Sequence, residues 1–235
     1  MTTLLAIETA TSTCGAAVLQ EDTVIAQAHL HRPRVHSKRL TPLVENMLQH
    51  ADITGDDLNA VAVSMGPGSY TGLRIGVSTA KGWAMATDAV LVGVPTLEAY
   101  AAQLRPVAAE GDVVCALLDA RRDEVYAGAY CMAADGVEEY APTKVLPVEA
   151  LPDWVGREAS RLWLVGDGAP KSQEKLKSVA DELLLVPGDD VPPSAAWVAR
   201  RGQHRLAADG PDDISTLEPF YVKDVHATPA PSPFA

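Results

Sequence analysis

Apolar residues fall along this chain in short blocks of two different periods. Leu4 to Thr9, Cys14 to Gln20 and Thr23 to His29 are apolar runs bounded by turn residues, and they predict three short strands in a meander opening an α/β domain. Leu40, Leu43, Val44, Met47 and Leu48 then recur at helical spacing, with Lys38, Arg39, Glu45 and Gln49 elsewhere. This predicts a helix over 37–51 that Pro42 starts or kinks. Leu58 to Met65 reads as a buried strand that breaks at Gly66-Pro67-Gly68 into a second helix over 71–87, with Ser69 as its N-cap.

That second helix confines its polar face to Arg74, Ser78 and Lys81, so one buried face does not account for it. Gly72, Gly76, Ala80 and Ala84 recur every four residues as a smooth ridge. Interior glycines destabilise a helix by about 1 kcal/mol each, so they call for a compensating close contact. Packing against the chain's own sheet and contact with another subunit both fit.

A strand Val90 to Val94 leads through Pro95 into a helix near Thr96. The second half repeats the order: a hairpin of Val113 to Ala120 and Val125 to Met132, a strand Leu162 to Val165, the turn Gly166-Asp167-Gly168, a helix Ser172 to Leu183, a strand Leu184 to Pro187 and a last helix Ala195 to Ala208. Ala133 to Ser160, with Pro142, Pro147 and Pro152, reads as an insertion, and the tail 228–235 as disordered. The divisions expected are 1–105, 106–194, a returning helix and strand-like segment 195–227, and that tail.

The chain has 235 residues and a net charge of −12. Such a balance argues against holding nucleic acid unaided, because phosphate binding rests on clustered Lys and Arg. No apolar run reaches the roughly 18 residues of a spanning helix, and the start lacks a signal peptide's basic flank, so a cytoplasmic protein with no membrane role is expected. Cys14, Cys115 and Cys131 show no metal or disulfide spacing and read as core residues.

Chemistry is sparse. The lysine-containing P-loop pattern, the G-x-S-x-G elbow and histidines spaced i, i+4 on a helix are absent from the sequence. Two sheet-forming halves flanking a cleft suit a nucleotide-binding fold of the actin, hexokinase and Hsp70 type. The hydroxyl-rich turn with Thr9 and Ser12, together with Asp119, Gly166, Asp167 and Gly168, then holds the residues nearest a nucleotide, while Glu8, Asp119 and Asp167 at strand ends are the candidates for a catalytic carboxylate; each also reads as ordinary turn chemistry.

Read together, LLAIETATSTCGAAVL at 4–19, HSKRLTPLVENML at 36–48, VAVSMGPGSYTGLRIGVSTAKGWA at 61–84, LLDARRDEVYAGAY at 117–130 and LEPFYVKD at 217–224 resemble the bacterial TsaB family, also called YeaZ. The resemblance implies an actin-like (ribonuclease H-like) fold of two subdomains and kinship with the TsaD transferase. It further implies a non-catalytic scaffold in tRNA threonylcarbamoyladenosine formation, partnered by a TsaD-like transferase and a TsaE-like ATPase, and a homodimer when alone. tRNA is then met through the complex with little direct contact. ATP and a metal ion are expected on the partners, and no cofactor, metal or catalytic residue on this chain.

TsaD-like proteins carry an H-x-x-x-H metal pair after a V-P-like turn, where this sequence reads Val94-Pro95-Thr96-Leu97-Glu98-Ala99-Tyr100, with Thr96 and Tyr100 in place of imidazoles. Family helices that form dimers match the two N-terminal helices here. They imply an interface of Leu40, Leu43, Met47, Gly72, Leu73, Arg74, Gly76, Ala80 and Lys81, with Lys38, Arg39, Arg74 and Lys81 at its rim and Leu43, Met47, Gly72 and Gly76 nearer its middle. The alternative is an active ATP-dependent transferase or kinase of the same fold; a metalloprotease lacks its ligands.

Overall fold

The structure, a computed structural model, describes residues 2–156, 159–186 and 191–223. The expected tail 228–235, Asp224 of the last matched motif and Pro187 of the strand expected at 184–187 lie outside the described residues. Within them the chain forms two five-stranded mixed sheets of the same design. The first contains β1 (Thr3–Glu8), β2 (Thr13–Gln20), β3 (Thr23–His31), β4 (Ala60–Gly66) and β5 (Val90–Pro95), in the order β3-β2-β1-β4-β5. The second contains β6 (Val113–Asp119), β7 (Glu124–Ala133), β8 (Gly136–Pro147), β9 (Arg161–Val165) and β10 (Glu182–Leu185), in the order β10-β9-β6-β7-β8.

Each sheet has an antiparallel meander on one side and two parallel strands on the other. β8 therefore corrects the reading of 133–160 as an insertion: the repeat needs a third meander strand there. Its prolines hid it, and Pro142 and Pro147 are tolerated because β8 is an edge strand.

Helices repeat in the same way. α1 (His36–His50), α2 (Tyr70–Thr87) and α3 (Thr96–Ala102) belong to the first half; α4 (Leu151–Val155), α5 (Ala169–Leu176) and α6 (Ala195–Asp209) to the second. α1 runs through Pro42, which is exposed. The helix expected over 172–183 instead starts at Ala169, where Pro170 suits the first turn, and gives way to β10 at Glu182.

α1 and α2 cover one face of the first sheet, burying Leu40, Val44, Met47, Val77, Ala80 and Ala84 against β1, β2 and β4. α6 crosses to cover that sheet's other face, where Val198 and Ala199 meet Ala6, Ala62 and Val92. Gly202 makes this approach possible, since a Cβ there would lie 2.6 Å from the Ala62 Cβ. Conversely, α3 packs on the second sheet through Leu97, Tyr100 and Ala101. The start of α6 is held by His29, whose Nε2 accepts the Ala195 N–H at 3.1 Å while its ring lies over Gly15. Burial and the neighbouring His31 hold the His29 imidazole below its ordinary range, in keeping with an acceptor nitrogen.

The small-residue ridge of α2 points inward. A Cβ on Gly72 would lie 2.2 Å from the Thr9 carbonyl oxygen, and one on Gly76 2.1 Å from Thr9 Oγ1. Gly82, by contrast, is exposed with open space around it. Gly76→Ala should therefore lose about 1–3 kcal/mol of stability despite the better helix former, whereas Gly82→Ala should gain about 0.5–1 kcal/mol. Chemical denaturation of both variants beside the parent chain checks the opposite signs.

Candidate functional site: two filled turns and the cleft between the sheets

The repeat makes two hairpin turns equivalent, the one after β1 and the one after β6. In the first, Glu8 ends β1 almost fully buried at 1% exposure. Its Oε1 accepts the Ala10 N–H at 2.6 Å, and the Ser64 side chain bonds to it as well. Burial raises the Glu8 carboxyl to about 7, against the smaller opposing pull of those hydrogen bonds. Thr9 Oγ1 donates to the Gly72 carbonyl at 2.9 Å, and the Ala10 carbonyl accepts the Ser69 N–H at 2.6 Å. Ser69 Oγ in turn caps α2 by accepting the Gly72 N–H. Turn and helix start thus satisfy one another, with Thr9 buried between them and Ser12 exposed.

The second turn is filled by a side chain. Lys171, from the first turn of α5, places Nζ against Asp119 Oδ1, 2.7 Å from the Glu124 carbonyl and 3.2 Å from the Arg122 carbonyl. Arg121 and Arg122 hold the turn at φ of 68° and 51°. The Asp119 N–H donates to Asp167 Oδ1 at 2.8 Å. Lys171 holds the Asp119 carboxyl below its usual range, while desolvation raises that of Asp167. Gly166, at φ 106°, lets the loop approach so closely that a Cβ would lie 2.1 Å from the Leu117 carbonyl oxygen, and the Gly168 N–H is spent on that same oxygen at 3.0 Å.

Of the residues expected near a nucleotide, Asp119, Gly166, Asp167 and Gly168 thus gather at the second turn, while Thr9 and Ser12 lie at the first. Lys171 escaped the sequence reading because it belongs to a helix start three residues past the glycine turn, where its reach back to Asp119 has no local signature.

Between the sheets lies a cavity of about 480 Å³. Met65 and Pro95 line it from the first sheet, Tyr130, Val137 and Thr143 from the second, and Phe220 closes one side. Glu98 and Glu139 also line it, and the Glu98 carboxylate is paired with Arg201. Thr96, 1% exposed at the start of α3, accepts the Gly66 N–H on Oγ1 at 3.0 Å, and Tyr100 is buried in the core of the second sheet. The segment 217–223 passes over both halves: Leu217 joins the first core, the Phe220 N–H donates to the Met65 carbonyl at 2.7 Å, and Lys223 Nζ pairs with Glu124 at 2.5 Å.

The residues expected at an interface separate into two sets. Leu40, Met47, Gly72, Leu73, Gly76 and Ala80 are buried within this chain, which corrects their placing in a surface contact: the close approach of α2 to Thr9 and the core under α1 take them. Arg74 is exposed, as are Lys38 and Arg39, and Leu43 and Lys81 are half-buried. Beside them on α2 stand exposed Ser78 and Met85, the latter 73% exposed. Cys14 and Cys115 are core residues whose thiols burial pushes up to about 11 and about 12, whereas Cys131 is only half-buried. Among the described residues no helix is long and apolar enough to cross a membrane.

Comparison with known proteins places this geometry. The family described as TsaD: tRNA N6-adenosine threonylcarbamoyltransferase matches residues 19–160. The tRNA threonylcarbamoyladenosine biosynthesis protein TsaB of Escherichia coli is 33% identical over 94% of this chain and 94% of its own length. That of Bacillus subtilis is 39% identical over 65% of this chain and 64% of its own length, so this match spans just under two thirds of that relative. Among solved structures, YeaZ from Pseudomonas aeruginosa superposes with a TM-score of 0.79 at 26% identity, covering 94% of this chain and 100% of that one. A ROK hexokinase from Thermus thermophilus, at 11% identity, a TM-score of 0.53 and coverage of 87% and 99%, shares the fold alone. The chain has the actin-like fold in two subdomains.

Glu8 sets a pH dependence. Below its ordinary value of 4.5 the carboxyl is protonated in the folded and unfolded chain alike. Between 4.5 and about 7 the unfolded chain ionises first, so stability falls as pH rises; above about 7 both forms are ionised and the loss stays constant. Its size is about 3 kcal/mol. Glu8→Gln, which keeps an acceptor for Ala10, should flatten that descent, as urea unfolding at pH 4.5, 6 and 8 would measure.

Proposed function

Since this chain belongs to the TsaB (YeaZ) family of tRNA threonylcarbamoyladenosine biosynthesis proteins, we propose that its own part in that modification is to bind and activate a TsaD-like transferase without carrying chemistry itself. It takes part in tRNA threonylcarbamoyladenosine formation beside TsaD-like proteins. The finer assignment rests on what fills the two turns. Thr9 is bonded into α2, and Lys171 already places a cation among the oxygens of Asp119, Arg122 and Glu124. A nucleotide and its divalent ion would have to displace both arrangements, which supports assigning the ATP and metal ion to the partner subunits. At the position after β5, Thr96 holds the Gly66 amide and Tyr100 the core, and neither is a side chain that ligates a catalytic metal readily.

The partner surface in this reading is the outer face of α1 and α2, reduced to the residues that reach it: Arg39, Leu43, Arg74, Ser78 and Met85. A large exposed methionine beside small and cationic side chains has the makings of an adaptable apolar contact with a polar rim. The same face serves a homodimer when the partner is absent. A TsaE-like ATPase completes the assembly, and tRNA meets this subunit only marginally because of its charge of −12.

The test is reconstitution of threonylcarbamoyl transfer to tRNA from TsaD-like, TsaE-like and adenylate-forming partners. Transfer should require this chain, and Asp119→Asn and Asp167→Asn should retain it within about twofold, since neither acid would touch a reacting group. Ser78→Arg and Met85→Glu should weaken binding of the TsaD-like partner at least about tenfold without changing thermal stability. Loss of transfer in Asp119→Asn with partner binding intact would overturn the assignment and favour an active enzyme.

A further inference from the structure

We infer that the His29 imidazole is a proton-sensitive latch on α6: neutral, it holds the helix start against the first sheet, and protonated, it releases it. The latch stands where the chain passes from β10 of the second sheet to the helix that covers the first. Its Nε2 accepts the Ala195 N–H at 3.1 Å. A neutral imidazole has one acceptor nitrogen and an imidazolium has none, so protonation sets two donors facing each other. It also adds a positive charge at a helix N-terminus, where the amide dipoles oppose it.

The ring has no room to turn aside. A Cβ on Gly15 would lie 2.3 Å from its Cδ2 and 2.9 Å from its Nε2, and the His31 ring lies within 10° of parallel to it, with centroids 6.0 Å apart. The helix start gives way more easily. The apolar cluster of Ala195 and Ala196 holds only Ala17 and the half-buried Val24, and Ser194 Oγ caps α6 from within by accepting the Ala196 N–H. Past the first turn, Val198 and Ala199 lie in the core and Arg201 pairs with Glu98, so the release stays local.

Charge around the ring is sparse among the described residues. β2 carries no charged residue, and β3 brings only His31. On α6 the nearest cations, Arg200 and Arg201, are bonded to the Asp22 carbonyl and to Glu98. Burial first, and then His31, lower the proton affinity of His29 from its ordinary value of 6.5. The hold is therefore complete above 6.5 and is lost as pH falls through the lower value of the folded chain.

This inference goes beyond the scaffold reading and does not depend on it. Because Glu8 moves global stability in the opposite direction, the test is local: hydrogen exchange of the Ala195 amide and nitrogen shifts of the His29 ring, followed by NMR on the full chain from pH 8 to pH 5. The Ala195 protection factor, corrected for intrinsic exchange, should fall at least about tenfold along the His29 titration curve. His29→Gln, whose Oε1 can accept the same N–H at every pH, should keep the protection and lose its pH response. His31→Gln, which removes the like charge, should move the transition to higher pH. Protection unchanged while His29 titrates, a His29 that stays neutral to pH 5, or a pH response that persists in His29→Gln would each overturn the latch.

Discussion

Arg201 and Glu98 form the interaction on which the arrangement of the two halves depends. Each sits on a helix that has crossed to the other half's sheet, and their pairing at 2.8 Å between Nε and Oε1 locks those helices together between the lobes. Arg201 is 8% exposed, so the pair has lost most of its hydration, and its net contribution to stability is small. Its value lies in specificity: removal of either partner strands a buried charge, at a cost of about 3–5 kcal/mol. A slip of α6 by one residue along the sheet would do the same, so the ion pair fixes a register that Val198, Ala199 and Gly202 fill with apolar contact.

The doubled topology explains why the two turns became so unlike. Equivalent hairpins open each lobe, yet one is closed by a helix start and the other by a lysine. The first closure requires glycine at 72 and 76, because Thr9 stands where any side chain would be. The second requires left-handed backbone at Arg121 and Arg122 and glycine at 166, and a flexible side chain completes it. One fold thereby offers two solutions to the same geometry: exclusion by packing and exclusion by charge.

Much of this was legible in the sequence. The apolar runs from Leu4 to Thr9 and Leu58 to Met65 were legible as strands from their short length and the turn residues that bound them, and β1 and β4 are almost wholly buried. Ser69 and the glycine ridge announced a helix needing close contact, though the sequence left open whether the chain or a partner supplied it; Thr9, distant by more than sixty positions, decided it. What stayed hidden was non-local or masked by local chemistry. β8 carries prolines that suit an edge but resemble a loop, and Lys171, Lys223 and the Arg201–Glu98 pair act across separations that no local pattern encodes.

The crossing of α6 also bears on the order in which the chain takes shape. Residues 3–95 form all five strands of the first sheet, but most of one face of that sheet, with Ala6, Ala62 and Val92, is covered by a helix about a hundred positions further on. During vectorial synthesis the first lobe emerges with that apolar face bare. Its maturation waits for the second lobe, and in the interval the face is open to aggregation or to a chaperone. The two lobes are therefore halves of one folding unit, joined by an exchange of helices that neither completes alone.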